Sequence, residues 1–348
     1  MESEIQNLMK VTIWVVLSLT YTHHFTPKTT PGLPRLLLLL PVLLLFILLP
    51  LSYSSLHLRS ISAFFLSWLA NFKLLLLSFN SGPLSTNLSL LSFISSTALP
   101  IKIHKSQTPP PHKLSIKTLL LILIITLYRY KDSLPNWVLL SLYSLHVYLA
   151  LEIVLASAAW AARVLIRADI EPQTDAPYLA SSLHEFWGRR WNLTVTRVLR
   201  PAIYDPLRRL GWGAAAARGV AFLVSGLMHE VMFWYLGGET PTWVVTWFFV
   251  VHGVCVAVEG EVGRVLEGWG VRVHRVVKVV LTVGFVLVSA GWWFWPPLLG
   301  TGVDEAVIEE YGRFGEWVMG GMVRFCGIFM EGVVFCFDVL SGMNSGIQ

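Results

Sequence analysis

The chain has 348 residues, of which 55% are hydrophobic and 14% charged, and its mean hydropathy is +0.63. A soluble domain of this size carries more charge, so the composition excludes a soluble globular protein and predicts an integral membrane protein. The net charge of +5 comes from basic residues scattered among apolar runs. This distribution argues against nucleic-acid binding and fits loops near an anionic leaflet or an anionic substrate.

Apolar runs that approach the roughly 20 residues of one bilayer crossing recur along the chain. They predict an all-α, polytopic protein with eight or nine transmembrane helices and additional interfacial helices, forming one membrane-embedded domain over residues 1–348. The candidate spans are Ile5–Phe25, Leu33–Leu51, Ser60–Phe79, Ser115–Tyr130, Trp137–Ala162, Gly213–Leu236, Trp243–Val258, Val276–Trp295 and Trp317–Leu340. The fourth span is short and the ninth contains Arg324 and Glu331, so either is also compatible with a position in the interface.

A polar segment separates the fifth and sixth predicted spans. Residues 163–218 contain nine basic side chains and five acidic ones, which places this segment on the cytosolic side under the positive-inside rule. Aromatic residues alternate with the arginines here, as in amphipathic helices that lie on a membrane surface. The arginines beside Gly188 could equally bind phosphates in a bidentate manner. Both interpretations stay open, and residues 170–260 are the predicted functional core.

The sixth span contains a polar pair, His229 and Glu230. An imidazole inside an apolar run is costly to bury and therefore marks a candidate reactive site. Ser225 and Gly226 lie one turn earlier on the same face and leave room for a ligand or for another helix. His229 is thus either a reactive group or a buried histidine that bonds to a neighbouring helix, whereas Glu230 is expected to make a structural contact.

Other chemical motifs are incomplete. The helix resembles that of a metalloprotease at His229 but lacks a second histidine four residues later, so no zinc site is predicted. Ser225 lacks the strand-turn-helix elbow of serine hydrolases. His252 and Cys255 are expected to be core residues. Glu152, inside the fifth span, is either a buried polar contact or part of a reaction chamber.

Two motifs together carry a resemblance to a known family. They are Phe186-Trp187-Gly188-Arg189-Arg190-Trp191-Asn192 and Ser225-Gly226-Leu227-Met228-His229-Glu230. The pair resembles the plant wax synthases, a branch of the membrane-bound O-acyltransferase superfamily, and is especially similar to the jojoba-type seed enzymes. One departure is His184-Glu185, where family members carry Gln-Asp or a similar pair, although a carboxylate remains here.

The resemblance implies a multi-pass enzyme of the endoplasmic reticulum membrane that esterifies a lipophilic alcohol. A long-chain fatty alcohol would react with acyl-CoA to give a wax ester and free CoA. No bound cofactor or metal is implied, because acyl-CoA is a co-substrate. Related enzymes use sterols or diacylglycerol as acceptors, so these remain alternatives. The oligomeric state is not predicted.

The resemblance also implies roles for individual residues. His229 corresponds to the membrane-embedded histidine of the superfamily and would act as general base on the alcohol hydroxyl. Asn192 corresponds to its partner asparagine and would donate to the developing oxyanion or orient the acyl carbonyl. Arg189 and Arg190 are candidates for the CoA phosphates, with phospholipid headgroups as the alternative partners.

Proteins of other classes fit the sequence less well. A multi-span transporter would spread charged residues over several spans and interrupt its helices at corresponding positions. In this chain the polar residues concentrate around one segment. A receptor or scaffold remains the other non-enzymatic alternative, but such a protein would have no need of His229 or Asn192.

Overall fold

The structure is a computed structural model that describes residues 2–100, 112–166 and 173–321. Within these ranges the chain forms helices and loops and no β-strand, which confirms the predicted all-α fold. The helices, in chain order, are α1 (Glu2–Phe25), α2 (Leu33–Ser52), α3 (Leu56–Ser78), α4 (Leu90–Ala98), α5 (His112–Leu127), α6 (Asn136–Ile166), α7 (Leu183–Glu185, continued by a π-turn at Phe186–Arg190), α8 (Leu193–Leu199, continued by Arg200–Tyr204 and Asp205–Arg209), α9 (Ala214–Gly237), α10 (Val244–Gly268), α11 (Arg275–Leu299) and α12 (303–321).

Six of these helices are long and apolar enough to cross a membrane, namely α2, α3, α6, α9, α10 and α11. They coincide with six of the nine predicted spans and confirm a polytopic membrane protein. The two further predicted spans in the described ranges are also helical. However, α1 carries Gln6, Asn7 and Lys10 in its first half, and α5 has only 16 residues. The ninth predicted span lies mostly outside the described residues.

The outward faces of the spanning helices are apolar. Leu37 and Leu44 on α2 and Val280 and Leu281 on α11 are each more than half exposed. On a soluble protein such continuous apolar surface would favour aggregation. In a bilayer the same side chains contact acyl chains, which accounts for their exposure.

Residues 2–303 make one compact unit and residues 304–321 belong to a second. Two larger clusters of buried apolar side chains lie in the described part of the first unit. The first cluster joins α1 to α4 through residues that include Leu19, Leu39 and Phe46. The second surrounds Trp68 and draws in side chains from α3, α6, α8 and α9. The second cluster packs α9, which carries His229, together with α8, which begins directly after Asn192.

A buried lysine closes the end of α4. The Lys73 side chain, on α3, is 2% exposed, and its Nζ donates to the backbone carbonyls of Ser96 (2.7 Å), Thr97 (3.4 Å) and Leu99 (2.7 Å). The last carbonyls of a helix have no partner within the helix. Lys73 therefore satisfies these groups in the protein interior and fixes α4 against α3.

Candidate active site

The site is built on the close packing of α9 against α10. A Cβ atom added to Gly226 would lie 2.8 Å from the Thr246 Cα and 3.1 Å from the Thr246 carbonyl oxygen. Only glycine permits this approach, as is common between membrane helices. The Glu230 carboxylate, 4% exposed, accepts a hydrogen bond from the Thr246 N–H at 3.1 Å. This contact satisfies a first-turn N–H of α10 and confirms the structural role expected for Glu230.

The hydrogen bonding of His229 defines its tautomer. Nδ1 of His229 lies 2.7 Å from the backbone carbonyl oxygen of Ser225. A carbonyl oxygen can only accept, so Nδ1 carries the proton and, in the neutral ring, Nε2 is left with a free lone pair. The partner is the backbone of Ser225 and not its hydroxyl, which agrees with the rejection of a serine-histidine pair.

Aromatic rings from three other helices enclose His229. Phe249 on α10 stacks on the imidazole with ring centroids 4.2 Å apart, while Trp68 on α3 (5.1 Å) and Phe294 on α11 (5.9 Å) meet it edge to face. Trp68 is 2% exposed, and its indole N–H finds no acceptor among the described residues. His229 itself stays partly exposed. The free nitrogen thus belongs to a ring held in a largely apolar, partly open site.

Asn192 occupies a strained backbone position at the start of α8. Its φ of 34° and ψ of 66° lie in the left-handed region, which asparagine tolerates better than most residues. The side-chain Oδ1 accepts from the Val195 N–H at 3.4 Å and caps the helix. Asn192 is 8% exposed, and in the part of the chain that the structure describes its Nδ2 makes no hydrogen bond. The amide N–H group therefore remains available as a donor.

His229 and Asn192 both lie next to residues of the Trp68 cluster. Val195, one turn after Asn192, packs against the Trp68 cluster, and so do Met228 and Met232 on either side of His229 along the chain. No hydrogen bond joins the two predicted catalytic residues within the described ranges. A substrate atom would have to lie between them for both to act on it.

The two predicted CoA-binding arginines have different surroundings. The Arg190 guanidinium pairs with the carboxylates of Glu185 (2.8 Å) and Asp175 (3.3 Å) and also donates to the Asp175 carbonyl oxygen at 2.8 Å. The Arg189 side chain is exposed and has neither a hydrogen bond nor an ion pair to any described residue. Arg190 thus holds its own segment together, whereas Arg189 is available to a ligand.

Hydrogen bonds and neighbouring charges shift the pKa values of two titratable groups in α7. Burial raises the pKa of Glu185, but hydrogen bonds from the Ser181 N–H and hydroxyl and from Arg190 outweigh it and lower this pKa to about 2. Burial lowers the pKa of His184, and the nearby Arg218 and Arg189 guanidiniums lower it further. Arg189 and Arg218 therefore form a small cationic patch beside His184, whose lowered pKa favours the neutral imidazole at neutral pH. Sequence reasoning missed Arg218 in this role because it lies on α9.

The remaining candidates of the sequence lie elsewhere. His252 is fully buried, with Nδ1 against the Phe248 carbonyl oxygen (2.8 Å) and Nε2 against the Ser289 hydroxyl (3.3 Å), as expected for a core residue. Glu152 on α6 pairs with Lys117 and accepts a hydrogen bond from Thr174. In the described ranges no group of three metal-binding side chains is assembled.

Comparison with known proteins identifies the family. Residues 170–251 match the sequence profile of the Membrane bound O-acyl transferase family, a range close to the predicted core of residues 170–260. The Long-chain-alcohol O-fatty-acyltransferase of Simmondsia chinensis is 47% identical over 334 residues, which cover 89% of this chain and 94% of that protein.

Two proteins of Arabidopsis thaliana are also similar over nearly their full length. Probable long-chain-alcohol O-fatty-acyltransferase 3 is 43% identical over 89% of this chain and 94% of its own length. Acyl-CoA--sterol O-acyltransferase 1 is 41% identical over 88% of this chain and 94% of its own length. With this identity and coverage, the chain belongs to the plant wax synthase branch of the membrane-bound O-acyltransferase family.

Proposed function

We propose that this protein transfers the acyl group of acyl-CoA to a long-chain fatty alcohol and releases a wax ester and CoA. The observation that carries this proposal is the 47% identity, over 89% of the chain, to a Long-chain-alcohol O-fatty-acyltransferase. The tautomer of His229, whose Nδ1 donates to the Ser225 carbonyl oxygen and whose Nε2 is free, provides a candidate base for the reaction. The names of two relatives, both long-chain-alcohol O-fatty-acyltransferases, support the choice of acceptor.

In the proposed reaction the alcohol hydroxyl donates a hydrogen bond to His229 Nε2. As the alcohol oxygen attacks the thioester carbon, its proton passes to Nε2 and negative charge develops on the carbonyl oxygen. Such general-base assistance is typically worth about 10² to 10⁴-fold in rate. The Asn192 amide would donate to that oxygen, a contribution that grows with the developing charge. Collapse of the intermediate expels the CoA thiolate, which takes up the proton from the imidazolium.

The surroundings of the imidazole support this role. The rings of Trp68, Phe249 and Phe294 exclude much of the water around His229. Low water content strengthens hydrogen bonds to the reacting atoms and limits hydrolysis of the thioester. An apolar enclosure also suits a substrate that reacts at one polar end of a long hydrocarbon chain.

The phosphates of acyl-CoA, the second substrate, are assigned to the cationic patch of Arg189 and Arg218. The Arg189 side chain has no hydrogen bond or ion pair to any residue that the structure describes, and guanidinium groups bind phosphate oxygens through charge-assisted hydrogen bonds. Of the two arginines proposed from the sequence, Arg189 is kept as a ligand-binding residue. Arg190 is assigned to the ion pairs with Glu185 and Asp175.

A sterol acceptor is the second candidate, because one relative at 41% identity is named an acyl-CoA--sterol O-acyltransferase. Diacylglycerol is a third acceptor to be tested. Microsomes from a host without neutral-lipid synthesis, expressing this chain, would receive labelled acyl-CoA with each acceptor in parallel. We expect labelled wax ester as the main product. Steryl ester or triacylglycerol as the main product would contradict the assigned acceptor, and no ester with any acceptor would contradict the proposed reaction.

We further place the protein in the endoplasmic reticulum membrane, where a multi-pass enzyme would meet both acyl-CoA and lipophilic alcohols. The family and the six apolar helices support a membrane location. Co-fractionation of a tagged chain with a marker of the endoplasmic reticulum is expected. Enrichment with plasma-membrane or plastid markers would contradict the assignment.

A further inference from the structure

The loop that carries Asn192 is fastened to a short upstream segment, residues 173–175. The Leu193 N–H donates to the Gln173 carbonyl oxygen at 2.8 Å, and the Asp175 N–H donates to the Arg190 carbonyl oxygen at 2.9 Å. These two bonds lie on either side of Asn192 along the chain. The hydrogen bonds to residues 173–175 therefore fix the backbone conformation around Asn192.

Side chains reinforce this pairing. The Gln173 Oε1 accepts hydrogen bonds from the Thr194 hydroxyl and from Arg197 Nη1, the latter at 3.3 Å. Thr194 is 4% exposed and Gln173 6% exposed. The segment is thus bonded through both its backbone and its side chains to the first turn of α8, the helix that Asn192 caps.

Residues 173–175 are in turn anchored to a membrane-spanning helix. The Thr174 hydroxyl donates to Glu152 on α6, and the other carboxylate oxygen of Glu152 pairs with Lys117 on α5. The Glu152 side chain is 9% exposed. A buried carboxylate is costly without such partners. The mechanism described above makes no use of this charge, so its position requires another explanation.

We propose that Glu152 and Thr174 are positioning residues, which fix residues 173–175 and through them aim the Asn192 amide at the reacting carbonyl. This inference rests on the proposed catalytic role of Asn192. Asn192 sits in a left-handed conformation at φ 34°, which costs energy for a residue other than glycine. Without the anchor, the backbone at Asn192 is free to relax and the amide loses its direction.

The test is a steady-state comparison of the full-length protein in microsomes, with acyl-CoA and fatty alcohol as substrates. Thr174→Val removes the hydroxyl that bonds to Glu152, Thr174→Ser restores one, and Thr118→Val is the matched control. The Thr118 hydroxyl donates to the Leu114 carbonyl oxygen of its own helix, outside this network. Since displacement of about 1 Å can cost 10²-fold in rate, we expect Thr174→Val to lower kcat at least tenfold with both KM values nearly unchanged.

Two further comparisons separate positioning from a general structural role. In an Asn192→Ser background that retains measurable activity, Thr174→Val should cause little additional loss, because both changes act through one group. A full tenfold loss in that background, or wild-type kcat for Thr174→Val alone, would overturn the inference. If Thr174→Val does not fold, Thr194→Val removes the other anchor of the same segment and must show the same selective loss in kcat.

The activity of Asn192→Ala distinguishes a failure of the positioning role from a failure of the proposed function. Wild-type activity of Asn192→Ala would refute the catalytic role of Asn192. It would also refute the positioning role of Glu152 and Thr174, which depends on that catalytic role. A large loss in Asn192→Ala combined with no effect of Thr174→Val and Thr194→Val would leave the proposed function intact and refute only the positioning role.

Discussion

Replacing Gly226 by alanine tests whether the close contact of α9 with α10 supports the site. The added Cβ would lie 2.8 Å from the Thr246 Cα, whereas ordinary contact begins at 3.4 Å. The obstructing atoms are backbone, so the two helices must separate by roughly 0.6 Å. Phe249 lies one turn after Thr246 and stacks on His229 at 4.2 Å. The substitution therefore moves an aromatic ring away from the proposed base.

The magnitude follows from two opposing effects. Overpacking in a closely packed region costs about 1–3 kcal/mol, while replacing glycine by alanine inside a helix recovers up to about 1 kcal/mol. Gly219→Ala is the matched control, because Gly219 lies in the same helix and a Cβ there meets no atom within 4 Å. We expect Gly226→Ala to be about 1–3 kcal/mol less stable than Gly219→Ala. Its kcat should also fall by about tenfold.

The assay combines thermal unfolding in detergent with acyl-transfer rates at saturating substrates for both variants. A lower Tm and a lower kcat for Gly226→Ala, with Gly219→Ala at or above the wild type in both, would support the reasoning. Equal stability and equal kcat for the two variants would refute it, since the predicted steric conflict would then have no consequence.

Three further predictions concern charged residues. Arg189→Gln should raise the KM for acyl-CoA about tenfold, because one charge-assisted hydrogen bond to the substrate is lost. Arg190→Gln should mainly lower Tm, because this residue forms ion pairs within the protein. A lower Tm for Arg189→Gln and a higher KM for Arg190→Gln would contradict these separate roles. The folded-state pKa of Glu185 is lowered to about 2, so its stabilising contribution is complete above its ordinary pKa of 4.5 and is lost as the pH falls toward 2. The Tm difference between wild type and Glu185→Gln should therefore shrink as the pH falls from about 5 toward 2, and a constant difference over this range would count against the assigned hydrogen bonds. Lys73→Met removes the donor of three carbonyls at the end of α4, two of them buried, and should destabilise the protein by about 2 kcal/mol or more. Lys10→Met, at an exposed position, should have little effect on Tm.

The helical architecture was largely predictable because apolar side chains must face lipid along each bilayer crossing. The ends of helices were less predictable. The span predicted for Trp243–Val258 begins one residue before α10 and ends ten residues before the end of that helix, since α10 extends from Val244 to Gly268. Hydropathy marks the part of a helix inside the membrane. Glu259 and Glu261 lower the hydropathy after Val258, but they lie in turns of the same helix. A drop in hydropathy therefore does not mark the end of the helix.

The candidate site was predictable only in part. His229 stands out in the sequence because a histidine inside an apolar span is unusual. Its enclosure by Trp68, Phe249 and Phe294 was not predictable, because these residues lie on three helices that are distant in sequence. The different binding partners of Arg189 and Arg190 were equally unpredictable from the sequence. The backbone path of α7 decides these partners, because it places the Arg190 guanidinium against the carboxylates of Asp175 and Glu185.

The most direct test of the account is the activity of His229 variants at equal expression. Microsomes carrying wild type, His229→Ala or His229→Gln would receive labelled acyl-CoA and fatty alcohol, with His252→Gln as a control for loss of a buried histidine. We expect wax-ester formation to fall by at least about 10² in both His229 variants, and by much less in the folded control. Undiminished ester formation by His229→Ala would contradict the assignment of His229 as the general base.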